Sequence, residues 1–350
     1  MYEKIKDILK ISKDRYMHSA PDSVLLEITK FCNKKCSFCY SDFSLQDHED
    51  NYLSIKQITD VAKFLAEKQI KNVVLSGGEP LTFPLLQQLL SIFSEYSFNI
   101  TIITNGILLT TDYLNLLMRY GCFVKYSFDM DDENSYAPLE LIRQLNYQDR
   151  AVVTLVYYKQ DINHFFYNIE QIHSKYGFTI ELNNAVGTGS LSIDGETLKR
   201  MLDASKRAIE LNLKAGYKIS GHSTLALINS YFQMKSIKSF NCSICKLIKV
   251  DIYGNIYPCP LFCNEGNIIG NIFNFNDKSF IEQSFFYKQN LFERVEATEC
   301  KHCKWKYLCG GGCMVSMEFK NPSNINPHSC YINKGVFEYL DSIFHLYASS

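Results

Sequence analysis

Three cysteines occupy positions 32, 36 and 39 of the stretch FCNKKCSFCY, residues 31–40. Three thiolates are one ligand short of closing a tetrahedral zinc site, and His48 is the only imidazole nearby. Buried structural thiols would not be set among Asn33, Lys34 and Lys35 in a loop. An iron–sulfur cluster held by three thiolates leaves one iron with free coordination sites, which a molecule bearing an amine and a carboxylate can chelate. A second concentration of thiols comes late in the chain. Cys300, Cys303, Cys309 and Cys313 are separated by two, five and three residues, with Cys330 beyond them and Cys242, Cys245 and Cys259 upstream. By residue type alone these suit either closed zinc knuckles, with His302 and His328 as extra ligands, or iron–sulfur clusters with four thiolates each. Cys122 opens an apolar run and reads as a small buried hydrophobe. Cys263 follows Cys259 by four residues, as an alternative ligand or an inert thiol.

The elements that must position these groups are legible in the hydrophobic period. Candidate strands lie at 24–29, 72–76, 99–104, 122–128, 151–157 and 178–183, with amphipathic helical stretches near 54–69, 84–96, 111–120, 138–147 and 161–176. Val61 and Leu65, and Leu114 and Leu117, mark buried helix faces, and Ser54 and Thr111 stand at N-cap positions. Six strands alternating with helices imply parallel βαβ units, and a barrel or a doubly wound sheet satisfies that period equally. In either, ligands gather at the C-terminal ends of the strands, and Cys32, Cys36 and Cys39 directly follow the first. Residues 192–235 read as a polar helical bridge. From Ser239 onward come short strands, turns and cysteines, with too little apolar period for an ordinary core, so that metals would contribute to folding.

Composition narrows the classes. The chain has 350 residues, 46% hydrophobic and 21% charged, and a net charge of −1 from 36 basic and 37 acidic residues, so no basic surface for nucleic acid is indicated. No apolar run is long enough to cross a membrane, and the first 22 residues are too charged for a signal peptide. A cytoplasmic location follows. In a reducing compartment, thirteen cysteines read as metal ligands or catalytic groups rather than disulfides.

The triplet, with Phe38 in the aromatic position before Cys39, resembles the signature of radical S-adenosylmethionine (radical SAM) enzymes. Gly77-Gly78-Glu79-Pro80 after the second strand is similar to that family's GGEP motif. Asn105 after the third strand, Ser127 and Asp129 at the end of the fourth, and Asn183 after the sixth fall where relatives contact the cofactor. The resemblance implies a partial (β/α)6 TIM-type barrel. It also implies a [4Fe–4S] cluster on Cys32, Cys36 and Cys39 that binds S-adenosylmethionine and cleaves it to a 5′-deoxyadenosyl radical. Glu79 and the glycine carbonyls would take the cofactor's ammonium, and Asn105 and Ser127 would lie by its methionine or ribose part. Many relatives carry a basic residue where Thr188 stands between Gly187 and Gly189, so an ionic contact there is not expected.

The later cysteines resemble the SPASM extension of radical SAM enzymes that modify peptides and proteins. The resemblance implies two auxiliary [4Fe–4S] clusters, one on Cys242, Cys245, Cys259 and Cys313 and one on Cys300, Cys303, Cys309 and Cys330. The chain divides accordingly into an N-terminal segment 1–22, a radical SAM core 23–191, a helical bridge 192–238, a SPASM domain 239–335 and a C-terminal tail 336–350. The expected activity is crosslinking, thioether formation, epimerisation or related C–H activation on a ribosomally made peptide. Cys263 then acquires a third reading, as hydrogen-atom donor. The alternatives are a small-molecule radical enzyme, a sulfatase-type maturase or a zinc scaffold. Pro260, Leu261 and Phe262 replace the aspartate that sulfatase-maturing relatives carry after the GNxxPC segment, which weakens that alternative. About 22 residues before the first strand are too few for a leader-binding domain, so leader recognition falls to the core surface or a separate protein. A flavodoxin or ferredoxin would supply electrons.

Overall fold

The computed structural model describes residues 16–36, 39, 51–185, 193–217, 219–220, 228, 231–232, 242–297, 299–313 and 327–344. The β-branched runs form strands β1 (Ser23–Thr29), β2 (Asn72–Gly77), β3 (Asn99–Thr104), β4 (Phe123–Ser127), β5 (Ala151–Tyr157) and β6 (Thr179–Asn184). Between them lie helices α1 (Ile55–Glu67), α2 (Leu86–Ser94), α3 (Thr111–Arg119), α4 (Tyr136–Gln144) and α5 (Ile162–Glu170). Ser54 caps α1 through a reciprocal box: its hydroxyl accepts from the Gln57 amide at 3.3 Å, and Gln57 Oε1 accepts from the Ser54 amide at 2.9 Å. The cap of α3 is Thr110 rather than Thr111. Thr110 holds the extended backbone that an N-cap needs and accepts from Tyr113 N, leaving Thr111 as the first helical residue. The helical period to 176 is met by α5 followed by a π-helical turn, Gln171–Lys175.

Strand order decides between the two architectures. β1 to β6 pair consecutively and in parallel. A doubly wound sheet would reverse direction at a switch point, whereas consecutive order is the winding of a (β/α) barrel. The described sheet is a partial barrel with added edges. β7 (Ile219–Ser220) extends it beyond β6, and β8 (Leu247–Val250) pairs in parallel with the outer side of β1. β9 (Asn255–Tyr257) and β10 (Gly270–Asn271) follow antiparallel.

Alternation along the strands separates two faces. Val24, Leu26 and Ile28 of β1 share an apolar core with Ile58, Val61 and Leu65 of α1. The opposite, inner face is polar: Glu27 and Thr29 on β1, Lys125 and Ser127 on β4, and Glu181 and Asn183 on β6. A sheet so divided has its stability on one side and its available chemistry on the other.

The later half departs from expectation. Ile248, Val250 and Ile256 are fully buried and continuous with the barrel core, so this region does not lack one. Helix α6 (Gly195–Ala215) ends at Gly216 in the left-handed conformation. Two further helices, α7 (Asp277–Ala297) and α8 (Pro327–Phe344), were not anticipated, and α8 runs through the expected boundary at 335/336. Its Val336, Phe337 and Leu340 are buried, and Trp305 stacks on Phe337 at a ring-centroid distance of 5.4 Å. Helix α8 lies against α6, where Gly335 leaves room for Leu202. The tail is thus a packed element through residue 344.

Candidate active site

The loop carrying the first thiols is built onto the end of β2. The Gly78 amide donates to Thr29 O at 2.8 Å and the Glu79 amide to Phe31 O at 2.9 Å. This approach is why two glycines are required. A Cβ on Gly77, whose φ is +132°, would sit 2.0 Å from Thr29 O, and one on Gly78 would sit 2.1 Å from Phe31 O. The close backbone contact at both glycines is therefore with the segment leading into Cys32. Pro80 is buried and opens a single 3-10 turn, Pro80–Thr82.

Glu79 is tied into the protein at the ends of two strands. It is 1% exposed, and its carboxylate accepts from Leu81 N at 3.1 Å, Thr104 Oγ1 at 2.7 Å and Asn105 N at 2.7 Å. Burial pushes its pKa up, and the bonds from Asn105, Thr104 and Leu81 oppose that. These three protein donors tie the end of β2 to the end of β3. Asn105 passes the connection on, its Nδ2 donating to Asn33 Oδ1 at 2.8 Å. Asp129 is likewise engaged: its carboxylate meets Lys34 Nζ at 2.7 Å, with Asp132 at 3.8 Å from the same nitrogen. The two residues after Cys32 are thus clipped to the ends of β3 and β4. Ser127 and Asn183 remain on the inner face, where Asn183 Nδ2 donates to Glu181 Oε1 at 2.9 Å and Lys125 pairs with the same oxygen at 2.6 Å. Phe38, His48, Gly187, Thr188 and Gly189 lie outside the described residues.

The thiols fall into three groups whose members act electrostatically on one another. Burial, with Cys39 and Cys32 adding to it, pushes Cys36 up to about 11, and Lys34 pulls against this. Cys259 is raised by burial and by Cys242 and Cys313. Cys245, fully buried with a positive φ, is pushed up to about 12 by burial, Cys242 contributing. Cys309 is pushed up to about 11 by burial, with Cys300 and Cys330 nearby, and Cys330 in turn senses Cys300 and Cys303. Neutral thiols so placed resist ionisation until a positive centre arrives, which is the condition a metal cluster relieves. Among the described residues, no three His, Cys, Asp or Glu side chains converge tightly enough for a single ion. A cubane is larger than an ion and keeps its thiolates further apart, so three groups of mutually sensitive sulfurs fit that donor chemistry.

Neighbours steady the later groups. Tyr16 donates to Ile244 O at 2.8 Å and Cys242 O at 3.1 Å. The Cys245 amide donates to Pro258 O at 2.7 Å, Asn333 Nδ2 to Cys309 Sγ at 3.3 Å, and the Cys313 amide to Ser329 Oγ at 3.0 Å. Cys122 is fully buried, as expected. Cys263 donates to Pro260 O at 2.6 Å, and burial raises its pKa. Sequence reasoning missed Asn33, Lys34, Thr104, Glu27 and Lys249, of which Glu27 and Lys249, each a charge within an apolar strand, gave a signal.

Residues 26–156 match the profile of the radical SAM superfamily. Among curated relatives, the mycofactocin maturase MftC of Mycolicibacterium smegmatis is 21% identical over 86% of this chain and 80% of its own. Native anSMEcpe with bound AdoMet superposes with a TM-score of 0.76 at 19% identity, covering 92% of this chain and 97% of that one. Streptococcus suis SuiB bound to precursor peptide SuiA superposes with a TM-score of 0.68 at 16% identity, covering 93% and 79%. At such identities the structural likeness is one of fold. Among the described residues no helix is long and apolar enough to cross a membrane.

Proposed function

We propose that this chain is a radical SAM enzyme that modifies a ribosomally synthesised peptide and carries a C-terminal SPASM domain. One observation carries the reading. The match to a mycofactocin maturase runs over 86% of the chain, far beyond the superfamily core that ends at residue 156. The fold shared with SuiB, a protein seen with a precursor peptide, supports a peptide as the substrate class.

In this reading Cys32, Cys36 and Cys39 hold a [4Fe–4S] cluster open to S-adenosylmethionine. Cys242, Cys245, Cys259 and Cys313 hold a second, and Cys300, Cys303, Cys309 and Cys330 a third. When bound, the first cluster and the cofactor supply a 5′-deoxyadenosyl radical able to take a hydrogen atom from the peptide. The chain's own residues position and shield. Gly77 and Gly78 admit the thiol loop against β2, and Glu79, Asn105 and Asp129 fix it through Asn33 and Lys34. Pro80, Ser127 and Asn183 would border the cofactor, on the inner face that keeps stray hydrogen donors away. Cys263, held protonated by burial, is the candidate donor that returns a hydrogen atom to the product. A flavodoxin or ferredoxin provides electrons, any leader is recognised by the core surface or by a separate protein, and the thiols suit the cytoplasm.

The test is anaerobic purification followed by reaction with dithionite, S-adenosylmethionine and synthetic peptides spanning the small reading frames beside the gene. Formation of 5′-deoxyadenosine together with a mass change in one peptide is expected. Zinc in place of iron, or turnover with no peptide altered, would reject the reading.

A further inference from the structure

Inside the sheet, on the side away from the apolar core, two opposite charges are buried together. Glu27 of β1 is 4% exposed and Lys249 of β8 is 5% exposed, with Lys249 Nζ 2.9 Å from Glu27 Oε2. The parallel register of β1 on β8 pairs Leu25 with Lys249, so Glu27 stands one inner-face position further toward the C-terminal end. Its side chain runs beneath Gly77: a Cβ added there would come 3.2 Å from Glu27 Cγ. The pair therefore lies directly below the loop that positions the first thiols. On its other side Lys249 hydrogen-bonds the Cys263 thiol, and Tyr257, which pairs with Lys249 across β8 and β9, hydrogen-bonds Asp251 at 3.0 Å.

This array leaves one atom unsatisfied. Glu27 Oε1 is buried with no hydrogen-bond donor among the described residues. A carboxylate oxygen stripped of water and given no donor is costly, and such a group is kept where something else completes it. A water or a bound molecule would supply the donor that the described residues do not.

We propose that Glu27 is a substrate-recognition residue, its Oε1 accepting a hydrogen bond from a backbone N–H or side-chain hydroxyl of the peptide, with Lys249 fixing the carboxylate in place. This rests on the peptide-modifying function proposed above. Lys249 fixes one carboxylate oxygen, leaving the other, in a side chain that runs beside Gly77, for the peptide. It requires no new covalent step.

The test compares Glu27→Gln with the unaltered enzyme, both fully loaded with iron, using the synthetic peptides from neighbouring reading frames. Loss of one charge-assisted acceptor should raise the KM for the peptide about tenfold while the KM for S-adenosylmethionine stays put. Because the neutral amide leaves Lys249 without its counter-charge, a second variant, Glu27→Leu with Lys249→Met, removes both charges and keeps the volume. It should show the same rise in peptide KM with unaltered iron content. Unchanged peptide KM in either iron-replete variant means that only water meets Oε1 and overturns the inference, leaving the function intact. An unaltered enzyme that modifies no peptide overturns the function, and this inference with it.

Discussion

At the scale of single residues, the thiols were the most legible feature because their chemistry resides in the side chain itself. Spacing alone drew attention to Cys32, Cys36 and Cys39. The role of Glu79 was not readable in the same way: its partners are a hydroxyl and a backbone amide about 25 residues onward, joined to it only by β3 lying next to β2. The prediction here is that Glu79→Ala, by stranding three buried donors, costs roughly 2–4 kcal/mol and lowers the Tm of the anaerobic holoprotein by several degrees in calorimetry. Replacing Cys32, Cys36 and Cys39 together with Ala should remove about four irons per chain and all 5′-deoxyadenosine formation, while the later sites keep theirs. Colorimetric iron and liquid chromatography measure both. If Cys263→Ala yields a product of unchanged mass and stereochemistry, the thiol is not the hydrogen donor.

Among the elements, the six strands and five helices of the first half matched their periods because each buries one face against the same core. Helix α7 escaped notice for the opposite reason. Its apolar residues are spread around it, with Ile281 63% and Phe286 52% exposed, so no single stripe stands out against the polar positions. Helix α8 was hidden by the cysteine at its start, which drew attention to ligand spacing rather than to Val336, Phe337 and Leu340. Phe337→Ala should cost about 3–5 kcal/mol by emptying the contact with Trp305, seen as rapid proteolysis near 327–344 while the barrel resists. Ser54→Ala, removing the capping box, should cost only about 1 kcal/mol, a small fall in Tm with cluster content intact.

For the whole molecule, the choice between two α/β architectures could not be made from period, because both alternate strand and helix. It needed the order of strands, a tertiary fact. Nor could the sequence tell that the second half adds its first strand to the barrel rather than folding apart, since the pairing of β8 with β1 joins residues more than 200 positions distant. A chain ending before β8 should therefore expose the outer side of β1 and aggregate, which light scattering would register, whereas a separable second domain would leave the remainder monodisperse. The same shared strand bears on electron flow. β1 runs directly into Cys32, while β8 begins two residues after Cys245 and β9 ends two residues before Cys259. If these thiols carry redox centres, the paired strands β1, β8 and β9 set the spacing of the loops that bear them, and so the tunnelling gap, through one hydrogen-bonded ladder.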